Sequence, residues 1–134
     1  MTLLDANVLL DIFTADPLWA VRSEDLLLTA IEKGPVGINP IIYAEISYGF
    51  SSEVLLDRAL AELGVERWPL PYEAAFPAAN AYQRYRKQKG TRRSPLPDFY
   101  IGAHAMVRGC ALVTRDVARY KTYFPTVELM YPRE

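Results

Sequence analysis

Cys110 is the only cysteine and His104 the only histidine in the chain. That scarcity excludes an internal disulfide and the Cys/His sets that zinc centres need. A reducing compartment suits such a chain, and the cytoplasm is the expected location. Charge of one sign is also missing: the net charge is -1 at pH 7, so no whole-molecule field draws in nucleic acid and any basic surface must be local. No apolar run approaches the roughly 18 to 20 residues of a membrane helix. The first residues lack a basic stretch, and Asp5 and Asn7 interrupt their apolar run, so they read as neither a signal peptide nor a membrane span. Internal repeats and low-complexity segments are absent.

What is present is an ordinary globular composition, 51% hydrophobic and 23% charged. The 134 residues suit one domain spanning 1–134, a size that buries roughly two-thirds of the unfolded surface. Leu3 and Leu4 open a strand that ends at Asp5, followed by a helix through Val8 to Phe13. Asp16-Pro17 reads as the cap and first-turn proline of a helix stopped by Gly34. Val36 to Ile38 is a second strand. Pro40 starts a helix that runs through Tyr48, and Glu53 to Leu63 forms another, ended by Gly64. Val65 to Leu70 is a strand candidate weakened by Pro69. Tyr72 to Lys89 and Pro97 to Arg108 read as helices, Ala111 to Thr114 as a strand, and Val127 to Met130 as a last short strand. This alternation predicts an α/β fold, a three-layer α/β/α sandwich around a mainly parallel sheet.

In such sheets, sites form beyond the carboxyl ends of the strands. Asp5 and Asp116 both fall there, although each could equally be a helix cap. Glu45 is more informative. Its helical neighbours Ile41, Ile42, Tyr48 and Gly49 cannot neutralise a carboxylate, so it either points to solvent or is compensated by something else, a bound cation being the economical candidate. Asp98 opens a helix, where the dipole favours an acid with or without a metal. Gly102 and Ala105 lie on the same face and would let that helix approach another backbone. His104 lies about 120° around the helix from Asp98 and reads as a packing or hydrogen-bonding residue.

Together, Leu4-Asp5-Ala6-Asn7-Val8-Leu9, Tyr43-Ala44-Glu45-Ile46, the run from Pro97 and Asp98 to Ala105, and Val113-Thr114-Arg115-Asp116 resemble the four signature segments of PIN-domain nucleases. The resemblance is to the VapC branch, the toxins of type II toxin-antitoxin pairs, and it covers nearly the whole chain. It implies that Asp5, Glu45, Asp98 and Asp116 are metal-binding catalytic acids, supported by Asn7 and Thr114. It further implies one or two Mg²⁺ or Mn²⁺ ions and hydrolysis of RNA phosphodiesters. Oxygen-only donors agree, because they select such hard cations. The implied partners are an RNA substrate, a cognate antitoxin and a second copy in a homodimer.

An acidic pocket must still attract RNA. Arg84, Arg86, Lys87, Lys89, Arg92 and Arg93 place six of the 15 Lys and Arg residues in ten positions just before Asp98. They are the expected phosphate contacts, with Tyr82 or Tyr85 free to stack on a base; alternatively they are a solvated helix end. A haloacid-dehalogenase-type phosphatase also begins with an acid after the first strand, but that chemistry wants a second Asp where Asn7 stands. A PIN nuclease of RNA maturation without an antitoxin, and a non-catalytic PIN-like binding module, remain the other readings.

Overall fold

A computed structural model describes residues 1–89 and 96–132, with Lys89 described through its backbone alone. Five strands form one sheet in the order β3-β2-β1-β4-β5, and every neighbouring pair is parallel. The inner strands β1 (Thr2–Leu4) and β2 (Val36–Ile38) are buried along their whole length, as a sheet covered on both faces requires. β4 (Ala111–Val113) lies beside β1, with Leu3 opposite Leu112 and Leu4 opposite Val113. The edges are β3 (Val65–Arg67) and β5 (Leu129–Met130). β3 is shorter than expected. Trp68 N still donates to Ile38 O at 2.7 Å, and Pro69, which has no N–H to give, ends the pairing.

Among the described residues, seven α-helices flank this sheet: α1 (Ala6–Phe13), α2 (Ala20–Lys33), α3 (Pro40–Ile46), α4 (Glu53–Glu62), α5 (Ala75–Lys89), α6 (Leu96–Arg108) and α7 (Val117–Tyr123). Their starts follow local chemistry. Asn39 Oδ1 accepts from Ile42 N at 3.0 Å with Pro40 as the first helical residue, and Ser52 Oγ accepts from Leu55 N at 3.2 Å. Asp16 Oδ1 accepts from the amides of Leu18 and Trp19. That arrangement closes a turn over residues 17–19, so α2 starts at Ala20 rather than at Pro17. No helix among the described residues is long and apolar enough to cross a membrane.

Two further features depart from the sequence expectation. Residues 117–123 form α7, a helix that the sequence allowed only as what Asp116 would cap. Gly102 does not admit a neighbouring backbone; its open side is filled by the ring of Phe124, just beyond α7, and a Cβ there would lie 2.3 Å from Phe124 Cδ2. This contact ties α6 to the segment that carries Asp116. Gly102→Ala should therefore lower stability by about 2 kcal/mol through overpacking. Gly49→Ala, into open space, should be nearly neutral. Urea denaturation of both variants checks this, and an unchanged Gly102→Ala midpoint would show that the ring is not packed there.

Candidate active site

The chain leaves β1 toward β2 and β3 on one side, then returns to place β4 and β5 on the other. The β1/β4 boundary is therefore the switch point of the sheet, where the segments leaving two adjacent strands diverge and open a crevice. A cavity of about 420 Å³ is lined by Asp5, Asn7, Glu45, Asp98, Asp116 and Arg119, among others. Its four acids come from four separate segments: the end of β1, the end of α3, the first turn of α6 and the residue before α7. A second cavity, near the ends of β2 and β3, is lined by Tyr43, Glu53, Arg67 and Trp68 and contains none of them.

Asp5 is the most firmly held acid. Its Oδ1 accepts from Ala6 N at 2.8 Å, while Oδ2 accepts from Thr114 Oγ1 at 2.7 Å and from Tyr120 OH at 3.2 Å. Burial nevertheless pushes its carboxyl above the usual range, with the charge of Asp116 adding to the effect and the three hydrogen bonds opposing it. Tyr120, itself buried beside this acid, is raised well above an ordinary phenol and stays a neutral donor. Thr114 works in both directions. Its hydroxyl donates to Asp5 and accepts from Asp116 N at 2.9 Å, so one side chain fixes the spacing between two acids. Capping separates those acids: Asp5 caps α1, whereas Asp116 precedes α7 without any side-chain cap bond.

Glu45 Oε1 is buried and has no hydrogen-bond partner. Burial first, then the charges of Asp5 and Asp98, push its carboxyl up to about 7, against the pull of Arg119. That guanidinium is the cation among the described residues that line the cavity. Arg119 Nη1 lies 3.5 Å from Asp98 Oδ2 and is ion-paired with Asp116 Oδ2.

Behind the cavity, Asn7 Oδ1 accepts from Arg115 N at 3.2 Å. The Arg115 side chain makes a two-pronged ion pair with buried Asp11, through Nε at 2.8 Å and Nη2 at 3.0 Å, under the ring of Trp19. Ser23 Oγ donates to the same carboxylate. The loop from Thr114 to Asp116 is thus anchored to α1 and α2. Asp11, Arg115, Arg119 and Tyr120 were not anticipated from sequence. The spacing of Val117, Tyr120 and Tyr123/Phe124 signals α7, and the Asp116/Arg119 separation is that of an i,i+3 ion pair.

The basic stretch behaves differently. Arg84 Nη2 lies 3.4 Å from Tyr123 O and the guanidinium sits over that ring, while Arg86 sits over Tyr82. Lys87 is exposed; Lys89 is described through its backbone only, and Arg92 and Arg93 lie outside the described residues. Tyr82 and Tyr85 are not free stacking platforms: both rings pack against Phe99, at 5.5 and 5.3 Å between centroids. His104 is the packing residue expected. It is buried, and its Nδ1 lies 3.0 Å from Asn39 Nδ2. Because the other Asn39 atom, Oδ1, already accepts from Ile42, the amide donates and the ring is neutral, in line with the pKa that burial lowers.

Residues 2–125 match the PIN domain. The chain belongs to the PIN-domain family. Solved structures give this PIN domain relatives in fold. VapBC2 from Rickettsia felis, bound to a DNA fragment from its promoter, aligns with a TM-score of 0.72 at 19% identity over 98% of both chains. A toxin-antitoxin complex from Klebsiella pneumoniae gives 0.68 at 21% identity over 100% and 99%. VapBC-1 from nontypeable Haemophilus influenzae gives 0.70 at 16% identity over 97% and 96%. At these identities the likeness is one of fold. No curated protein is similar to the chain in sequence.

The donor set of this PIN domain fits a hard divalent ion: the acids offer only oxygen, and one buried oxygen, Glu45 Oε1, lacks any partner. As they stand, however, no three acids among the described residues are grouped closely enough to hold one ion. Asp5 accepts hydrogen bonds from Thr114 and Tyr120, while Arg119 engages Asp98 and Asp116. In metal-free protein, Glu45 binds its proton more tightly folded than unfolded, because its carboxyl is raised from 4.5 to about 7. Its contribution is therefore full below the unfolded value and lost as pH rises through about 7. Melting temperatures in EDTA should fall between pH 5 and pH 8, and Glu45→Gln should shrink that fall, with Asp5 retaining part of it. Equal slopes would show that Glu45 is solvated.

Proposed function

We propose that this PIN domain is a Mg²⁺- or Mn²⁺-dependent endoribonuclease of the cytoplasm, acting as the toxin of a VapBC-type toxin-antitoxin pair. The observation that carries the reading is the convergence of Asp5, Glu45, Asp98 and Asp116, from four separate segments, on one cavity at the switch point. Clustering like charges opposes folding, so an arrangement that gathers four acids around a partnerless buried oxygen is best accounted for by a cationic ligand. The whole-chain likeness to proteins crystallised in toxin-antitoxin complexes supports the toxin role.

In this reading the four acids hold one or two ions. Bound there, the metal would supply a water of lowered pKa and neutralise charge building on the phosphodiester. The chain's own residues set the geometry. The amide of Ala6 and the hydroxyls of Thr114 and Tyr120 fix the Asp5 carboxylate in orientation, and Thr114 fixes the start of the Asp116 segment relative to it. Asn7 holds the same loop from the side of α1 through Arg115 N. The Glu45 carboxyl reaches the cavity from α3 with an oxygen to spare. His104, engaged with Asn39 and outside the cavity lining, takes no part in moving the proton.

RNA would approach along α5, where Arg84, Arg86 and Lys87 present charge, continued by Lys89, Arg92 and Arg93 in sequence. Tyr48, 96% exposed at the cavity rim, is better placed than Tyr82 or Tyr85 to meet a base. Exposed Val54 and Leu55 offer apolar surface on α4 for a second copy or an antitoxin.

Glu45→Gln keeps the side chain's shape, removes the charge and breaks no hydrogen bond that the Oε1 atom makes. It should reduce cleavage of total RNA by roughly two to three orders of magnitude, the scale of losing one electrostatic group from a reaction centre. Purified, antitoxin-free protein incubated with RNA and Mg²⁺ or Mn²⁺ checks this. Wild-type cleavage that persists in EDTA, or full activity of Glu45→Gln, would refute the reading. Growth arrest on expression of the wild type alone, relieved by co-expressing a small protein encoded beside it, separates a toxin from a nuclease of RNA maturation.

A further inference from the structure

Among the described residues, one guanidinium shares the cavity with the four carboxyls. Arg119 projects from the first turn of α7, pairs with Asp116 three residues back, and extends to Asp98 on α6, with 26% of its side chain exposed. The two carboxylates it engages are themselves largely sheltered, at 19% and 35% exposure, so the pair is not a loose surface contact. Among the described residues that line this cavity, Arg119 is the only cation. Arg119 Nη1 meets Oδ2 of both Asp98 and Asp116, carboxylates that a divalent ion in this cavity would also draw on, and a second cation brought against the same pair of acids competes with the guanidinium for charge and space.

We propose that Arg119 is the internal counter-cation of the site: it positions Asp98 and Asp116 in the metal-free chain, and a divalent ion binds only by displacing it. The inference rests on the metal-dependent reading above. It accounts for two observations together, the convergence of four acids on one cavity and the lack of three grouped to hold an ion. While Arg119 bridges α6 and α7, the repulsion between the acids is partly neutralised and the cavity is stable without metal. Once displaced, the side chain leaves both carboxylates to the ion. Arg119 therefore opposes metal binding while supporting the metal-free fold, a combination that an ordinary stabilising residue does not show.

The test uses the full chain with Mn²⁺ as the probe, comparing wild type with Arg119→Gln and Arg119→Lys by titration calorimetry and by melting in EDTA. Arg119→Gln should melt lower without metal yet bind Mn²⁺ about tenfold more tightly, the equivalent of about 1.4 kcal/mol. Arg119→Lys keeps the charge but not the guanidinium whose Nη1 spans both carboxylates, so it should fall between the two in both measurements, and it carries the test if the Gln variant does not fold. Mn²⁺ affinity in the variants equal to or weaker than wild type would overturn the inference while leaving the metal-dependent reading intact. Absence of Mn²⁺ binding by wild type and variants alike would overturn that reading and the inference with it.

Discussion

Burial of carboxyls in one partly dry cavity, with their mutual repulsion added to it, is the constraint around which the rest of the site is organised. Like charges in a shielded space raise one another's pKa and oppose folding unless something compensates them. Each acid here meets that demand differently. Asp5 takes three hydrogen bonds, Asp98 and Asp116 share Arg119, and Glu45 is left to hold a proton, its carboxyl pushed up to about 7. The protein thus satisfies three of the four acids and leaves the fourth as the point of highest electrostatic tension. A site built only for stability would replace such an acid with an apolar residue.

The compensation reaches into the scaffold through residues 114–116. Thr114 links Asp5 to the Asp116 amide, Arg115 is locked to Asp11 on α1 beneath Trp19, and Asp116 leads into α7, which supplies both Arg119 and Tyr120. The Phe124 ring fills the space beside Gly102 and holds the far end of α7 to the helix bearing Asp98. Positions of the acids are therefore set by packing and by charged hydrogen bonds that lie outside the cavity. Disturbing Asp11 or Gly102 should change the geometry of the acids without touching them.

Much of this was legible in the sequence. The parallel sheet followed from short apolar strands between helices with readable caps. Asp5 and Asp116 stood at strand ends and Glu45 in a helix that offered it no partner, whereas Asp98 merely opened a helix and joined them through the family resemblance; all four line one cavity. What sequence did not reveal was the counter-charge. Arg119 stands in a seven-residue helix whose only local marks are the spacing of Val117, Tyr120 and Tyr123 and the i,i+3 step back to Asp116, and neither tells that the side chain also reaches Asp98 on α6. Asp11 and Arg115 are 104 residues apart, and no local pattern pairs them. Tyr82 and Tyr85 were misread for the opposite reason: their neighbours along the chain are basic, but their neighbours in space are Phe99 and Tyr123. Pro17 looked like a helix start, yet the Asp16 carboxylate prefers to close a turn first.

The central claim is that these four acids form a divalent-metal centre. Crystals of the antitoxin-free protein soaked in Mn²⁺ and measured at the manganese absorption edge test it most directly. The account predicts anomalous density within the cavity, in contact with carboxylates from the set Asp5, Glu45, Asp98 and Asp116, with the Arg119 side chain moved off Asp98 and Asp116. A cavity without manganese density at saturating Mn²⁺, with Arg119 still bridging the two carboxylates, would contradict it.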